Sequence, residues 1–306
     1  MASFGDLNRV NTNIQSLDSQ LSLNRINKDL SDNQLKLSTG LRINNAEDDA
    51  AGYSIATKLN SRVAGLEQAM ANVGDAKSVL DIAESSFDTV MDNLIEMKAL
   101  STQAANDTLG EEERGYIGDQ ISKLAQDIND IADQTVFQDT QLLNGENGGF
   151  SGAVDLTFQV GEREDDTLDA SIDAVNVAEL FDGAGTGAIS VDATGAGGQG
   201  SLSFVDGATA ASADDFRGFI SGIDDAIGSM NDRVNEIGMT QSSLSIREVT
   251  LSQSVSANSS ASSRIMDADF AKEQSESVRL QILQQTSTSA LAQANNGPQS
   301  VLGFLG

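Results

Sequence analysis

Few residues of this chain have the types and spacing for chemistry, and three glycines come first. The run GAGGQG (Gly195, Gly197, Gly200) follows a short apolar piece, Ile189 to Val191, and has the spacing of a dinucleotide-binding turn. Such a turn closes its backbone on a pyrophosphate at the N-terminus of the next helix. Here the alternating segment SLSFVDG follows instead of a helix, so the run reads as a Gly-rich loop. Glu111 to Glu113 and Glu162 to Asp166 could offer oxygens to a hard cation. Both lack the alternating carboxylates and central Gly of a loop site, and read as solvated surface. Asn45, followed by Glu47, Asp48 and Asp49, reads as a helix cap with acids in the first turn, where unpaired N–H groups and the helix dipole favour them.

Composition closes most other routes. The 306 residues contain no Cys, His or Trp and a single Pro, which excludes the usual zinc sites, thiol nucleophiles, imidazole bases and disulfides. A carboxylate-only enzyme stays formally open; no cofactor or metal is called for. The 18 Lys and Arg against 46 Asp and Glu leave a net charge of −28, which argues against nucleic acid or an anionic membrane as partner. Residues 1–43 and 264–306 together carry no net charge, so the whole excess lies in residues 44–263. Neutral ends suit burial, and an acidic middle suits water. No apolar run reaches the length of a secretory signal or a membrane span.

With little chemistry to position, the elements themselves become the subject. Steps of seven from Leu59 reach Leu66, Val73, Leu80, Phe87 and Leu94, with Val63, Met70 and Met91 on an adjoining row. A second heptad row runs Phe216, Ile223, Met230, Ile237, Leu244 and Leu251, and a shorter one Ile117, Ile121, Leu124, Ile128 and Ile131. These spacings predict two long helices and one shorter helix sharing a bundle. At the start, Val10, Ile14, Leu17 and Leu21 make one row, and Leu23, Ile26, Leu30 and Leu37 another, displaced by two positions. Near the end, Val278, Leu280, Ile282, Leu283 and Leu291 stand among Gln and Ser. Each end alone buries too little to offset its ordering entropy and is expected to fold only on partners. From Gly145 to about Ala213 the chain is rich in Gly, Asp, Ser, Thr and Ala, with short alternating pieces that predict strands and turns. Residues 240–263 hold twelve Ser or Thr, suited to a close-packed face or an O-glycosylated one.

The run LSTGLRINNAEDDAAGYSIA (Leu37 to Ala56) resembles the bacterial flagellins. NTNI (Asn11 to Ile14), GLEQAMANVGDA (Gly65 to Ala76), STQAAND (Ser101 to Asp107), LTFQVG (Leu156 to Gly161), SSRIMDADFAKE (Ser262 to Glu273) and QILQQTSTSALAQANNGPQSVLGFLG (Gln281 to Gly306) follow in that family's order. The resemblance implies a mainly α fold: a long antiparallel heptad-repeat helical bundle with paired N- and C-terminal helices and a small β-hairpin region. It implies a terminal coiled-coil inner core from residues 1–43 and 267–306, and a helical rod from 44–165 and 214–266. Residues 166–213 would be a short variable surface excursion.

The implied function is that of a structural subunit self-assembling into the helical flagellar filament for motility, with a hook-filament junction protein as the alternative. Implied partners are further copies of the chain, the flagellar type III export apparatus, an export chaperone, the filament cap and junction proteins, with no nucleic acid and no membrane. The location would be extracellular, reached unfolded and without a cleavable signal peptide. Inner-core assembly falls to Ile14, Leu17, Leu21, Leu30, Val278, Ile282, Leu291, Leu302 and Leu305, and the rod core to the two long heptad rows. Arg42, Asn44, Asp48 and Asp49 form the implied subunit-contact motif. Two departures stand out. Glu47 replaces a basic residue usual in the family. Ile95, Glu96 and Ala99 replace the Gln, Arg and Glu typical of flagellins detected by the vertebrate toll-like receptor, which counts against that recognition.

Overall fold

The computed structural model describes residues 12–138, 140–144, 153–181, 189–192, 200–206 and 209–302. They divide into two units: one holds the residues up to Ala64 together with those from Val255, the other Gly65–Ser254. Both boundaries fall inside long helices, the first later in the chain than the expected division at 43 and the second earlier than the one at 267.

In the first unit, α1 (Ile14–Thr39) starts where the Asn13 side chain accepts from the Ser16 N–H at 3.1 Å. It ends at Gly40, whose φ of 72° lets its N–H reach back to the Lys36 carbonyl at 2.9 Å. Its partner is α6 (Phe270–Leu302), capped by Asp269, whose Oδ1 accepts the N–H groups of Ala271 and Lys272. Asn13 meets Ala294 at one end and Asn33 meets Glu273 at the other, so the pair is antiparallel. Each terminal segment, expected to need a partner, thus has the other.

In the second unit the long helices α2 (Ala50–Ala104) and α5 (Ala213–Met266) run antiparallel, as the Lys98–Asp224 and Lys77–Glu248 ion pairs at 2.5 and 3.0 Å require. Leu66, Val73, Leu80, Phe87 and Leu94 are buried as the heptad demands, and Ile223, Met230, Ile237, Leu244 and Leu251 with them. In the first unit Leu59 is half-buried. The second buried row of α2 is Ala69, Ala76, Ala83, Val90, Met97 and Ala104, again in steps of seven. Met70 and Met91, expected there, are only half-buried. Alanine carries too weak a hydropathy signal to mark a row, yet its small side chain allows close helix approach.

α3 (Glu111–Gln134) buries Ile117, Ile121, Ala125, Ile128 and Ala132. β1 (Val136–Phe137) and β2 (Thr140–Gln141) form a minimal hairpin after it. β3 (Ala153–Gln159) pairs antiparallel with β4 (Thr167–Asp173), from Ala153 opposite Asp173 to Gln159 opposite Thr167. The expected boundary at residue 166 therefore cuts a hairpin. α4 (Val177–Leu180) follows, then β5 (Ser190–Asp192) pairs with β6 (Ser201–Ser203) and β7 (Val205–Asp206) with β8 (Thr209–Ala210).

The segment 166–213, expected as a surface excursion, contributes to the core. Ile172, Val175, Val177, Phe181, Leu202 and Phe204 are all buried. Phe181 stacks on Phe219 at 5.4 Å, while Phe204 stacks on Phe216 at 5.4 Å and meets Phe219 edge-on at 5.6 Å. Strand alternation puts Leu202 and Phe204 on one face, and that face closes against α3 and α5. The buried Asn129 ties α3 to both neighbours, donating to the Gly200 carbonyl and accepting from the Val177 N–H, each at 3.0 Å.

Candidate assembly surface

The terminal helix pair is the site the sequence singled out, and its geometry sorts the candidate residues into two faces. On α1, Ser16, Ser19, Leu23, Ile26, Leu30, Asn33 and Leu37 recur at steps of three and four and lose exposure. They face Glu273, Ser277, Leu280, Gln284, Ser287, Leu291 and Ala294 of α6, in matching steps. Leu30 and Leu291 thus belong to the seam, as does Leu280. Leu17, Leu21, Val278 and Ile282 point away from it, and Leu17 is 65% and Ile282 60% exposed. Ile14 is half-buried, Leu302 ends α6, and Leu305 lies outside the described residues. The displacement of two positions between the rows of α1 now has its meaning: the second row meets α6, and Leu17 and Leu21 of the first are left exposed. Phe270, at the start of α6, adds to the exposed apolar surface.

Beyond the pair lies a corner built from the motif residues. The Arg42 N–H donates to the Met266 carbonyl at 2.5 Å and the Ala268 N–H to the Gly40 carbonyl at 2.9 Å, with Leu41 bridging Asp267. Arg42 also donates from Nη2 to the Ile265 carbonyl at 2.7 Å. Asn44 donates its side-chain N–H to the Leu41 carbonyl. Asp48 Oδ2 accepts the N–H groups of Asn44 and Asn45, each at 3.0 Å. These bonds, the one from Asn45 first, hold its carboxyl below the usual carboxylate range.

The expected cap at Asn45 moves: α2 starts at Ala50, and Asp49 Oδ1 accepts from Ala51 and Gly52. Asn45 is instead the start of a turn closed on Asp48, because the Asp48 carboxylate reaches two N–H groups at once. A side chain at Gly52 would meet Asp49 Oδ2 at 2.6 Å and Ile43 Cδ1 at 2.8 Å, so it would have to displace the ends of those two side chains, one of them the cap. Arg42, Asn44, Asp48 and Asp49, expected as a contact motif between subunits, are all engaged within the chain. Glu47 lies 3.7 Å from Lys28 in an exposed ion pair.

Ile95, Glu96 and Ala99 are exposed on α2. Of the GAGGQG glycines, Gly195 and Gly197 lie outside the described residues. Gly200 has a φ of 77° and its Cβ position would sit 2.8 Å from the Ala178 nitrogen; β6, rather than a helix, follows. Among the described residues no group of three or more His, Cys, Asp or Glu is placed to hold a metal ion, and no helix is long and apolar enough to cross a membrane. Sequence reasoning missed Asn33, buried at a seam position where the repeat calls for an aliphatic. Its signal was present: it stands seven residues after Ile26, in register with the apolar row.

Long heptad helices, a paired terminal seam and an uncovered apolar row beside it define a helical protein built for protein contacts. Residues 10–148 match the family described as the bacterial flagellin N-terminal helical region, and residues 220–305 the bacterial flagellin C-terminal helical region. The flagellar filament 33 kDa core protein of Treponema phagedenis is 31% identical over 300 residues, covering 97% of this chain and 99% of that protein. The flagellin of Bacillus subtilis is 33% identical over 310 residues, again covering 97% and 99%. A solved structure from Vibrio parahaemolyticus, described as a flagellar hook-associated protein, shares the fold at a TM-score of 0.55 and 14% identity, over 72% of this chain and 100% of that one. The chain belongs to the bacterial flagellin family.

Proposed function

We propose that this chain is the structural subunit of a bacterial flagellar filament, polymerising with further copies of itself through its terminal helices. One observation carries the reading. The α1/α6 pair buries one apolar row and leaves Leu17, Leu21, Val278, Ile282 and Phe270 exposed, a surface that a monomer has no reason to keep apolar. The near-absence of net charge at both ends supports burial of that surface between copies, and relatives named flagellin and filament core protein match almost the whole chain.

In this reading the location is extracellular, in the filament. Export unfolded through the flagellar type III apparatus, with a chaperone, the filament cap and junction proteins as transient partners, extends the family reading to this chain. So does the assignment of a structural rather than catalytic role. Purified protein incubated in molar salt and imaged by negative stain tests the core of it. Long helical filaments are expected, and protein that stays monomeric under all such conditions overturns it. A hook-filament junction subunit would be present in few copies per filament, which quantitative analysis of sheared filaments distinguishes.

A further inference from the structure

The α1/α6 seam is less apolar than a heptad pair needs to be. Along α1 it carries Leu23, Ile26, Leu30 and Leu37 within fifteen positions, whereas the facing row of α6 has Leu280 and Leu291 among Ser277, Gln284 and Ser287, with Leu283 half-buried beside it. On burial alone α1 would gain more from a second α1 than from α6. Something else must choose the partner.

Polar contacts recur along the seam. Asn33, 4% exposed, donates from Nδ2 to Glu273 Oε2 at 2.7 Å and to the Glu273 carbonyl at 3.1 Å. Gln284 donates to Asn27 Oδ1 at 2.7 Å, Ser16 Oγ meets Asn295 Oδ1 at 2.6 Å, and Asn13 donates to the Ala294 carbonyl at 2.8 Å. A polar residue in a seam costs stability relative to an aliphatic, and its best-attested return is choice of partner or register. Two α1 helices would bring Asn33 against groups other than Glu273 and forfeit its charge-assisted bond, leaving a buried amide to find a new partner.

We infer that Asn33–Glu273 and Asn27–Gln284 select α6 as the partner of α1 over the α1 of a second copy. They act by giving the buried Asn33 side-chain N–H group the Glu273 carboxylate and carbonyl as acceptors, and the more exposed Asn27 a partner in Gln284, bonds that are specific to the less apolar pairing. The inference concerns the pairing itself and does not rest on the filament reading.

The native chain has no cysteine, so a single introduced thiol reports cleanly. Full-length protein carrying one cysteine at Ser19, Ile26 or Leu30 would be oxidised over a wide range of concentration, and disulfide-linked dimers counted. Only an α1–α1 contact between copies can produce them. N27L/N33L is expected to raise the dimer yield several-fold over the parent, while Q34L, a polar-to-leucine change at an exposed position of the same helix, leaves it unchanged. E273L/Q284L supplies the opposed test. If apolar content alone chose the partner, a more apolar α6 would lower the α1–α1 yield, whereas loss of the polar pairs raises it. Circular dichroism establishes that each variant keeps its helices. Unchanged dimer yield in N27L/N33L, an equal rise in Q34L, or a fall in E273L/Q284L overturns the inference.

Discussion

The Arg42 guanidinium donates from Nη2 to the Ile265 carbonyl at 2.7 Å, while the Arg42 backbone N–H takes the carbonyl of the very next residue, Met266. One residue thus satisfies two carbonyls in the last turn of α5, which no helical N–H can reach, and places a cation where the helix dipole is negative.

Replacing Arg42 by Ala should loosen this corner by about 1 kcal/mol or less, since the guanidinium is exposed and its bond is shared with water. The expected result is earlier urea unfolding and faster proteolytic cutting around residues 40–48, with Lys only partly restoring the loss because it lacks the planar fork.

Asp48 makes the same corner sensitive to acid. Its folded pKa is depressed by the N–H bonds from Asn45 and Asn44. Its contribution is therefore present above the ordinary aspartate pKa and is lost as pH falls through the lower folded value. The urea midpoint of the native protein should drop below about pH 4. Asp48→Ala should show a lower midpoint at neutral pH and a shallower acid dependence. Parallel curves for the two proteins would show that other carboxylates set the acid limit.

Phe219 sits between Phe181 and Phe204 with no exposed surface. Phe219→Ala should cost about 3–5 kcal/mol in the second unit, as for other large-to-small core changes. Near-ultraviolet dichroism and denaturant unfolding check this. A cost under about 1 kcal/mol would mean that the segment 166–213 is not packed as described.

Leu17→Ser with Ile282→Ser removes exposed apolar surface and nothing from the seam. Monomer stability should change by no more than about 0.5 kcal/mol per site, while polymerisation should fall sharply. Thermal unfolding and sedimentation of the same samples separate the two effects.

Salt should favour polymerisation. Copies carrying −28 each repel, over a Debye length of about 30 Å at 0.01 M salt but only about 3 Å at 1 M. Sedimentable protein is expected to rise with sodium chloride at fixed pH. A flat or falling curve would show that the acids are already paired between copies.

The sequence by itself determined the long helices and most of their buried face. Leu66 to Leu94 and Ile223 to Leu251 repeat every seven residues, and only a helix packed along its length rewards that period. It also determined what the protein lacks, since no fold can supply a thiol or an imidazole. Tertiary structure decided whatever depended on which groups the folded chain brings together. The alanine row of α2 became core only through its packing in the folded chain, which a weak hydropathy signal could not announce. The choice between the two rows of α1 waited on where α6 runs. Asn45 lost the cap to Asp49 because the fold of the loop put Asp48 within reach of two backbone donors. Phe204 read only as part of a short alternating strand in a segment of turns, and its burial, like that of Phe181, came from Phe216 and Phe219 closing over them. Periodicity is a local property that one helix can display alone, whereas these outcomes come from contacts with other elements, near or far in the chain, and from short segments whose order depends on the surface they meet.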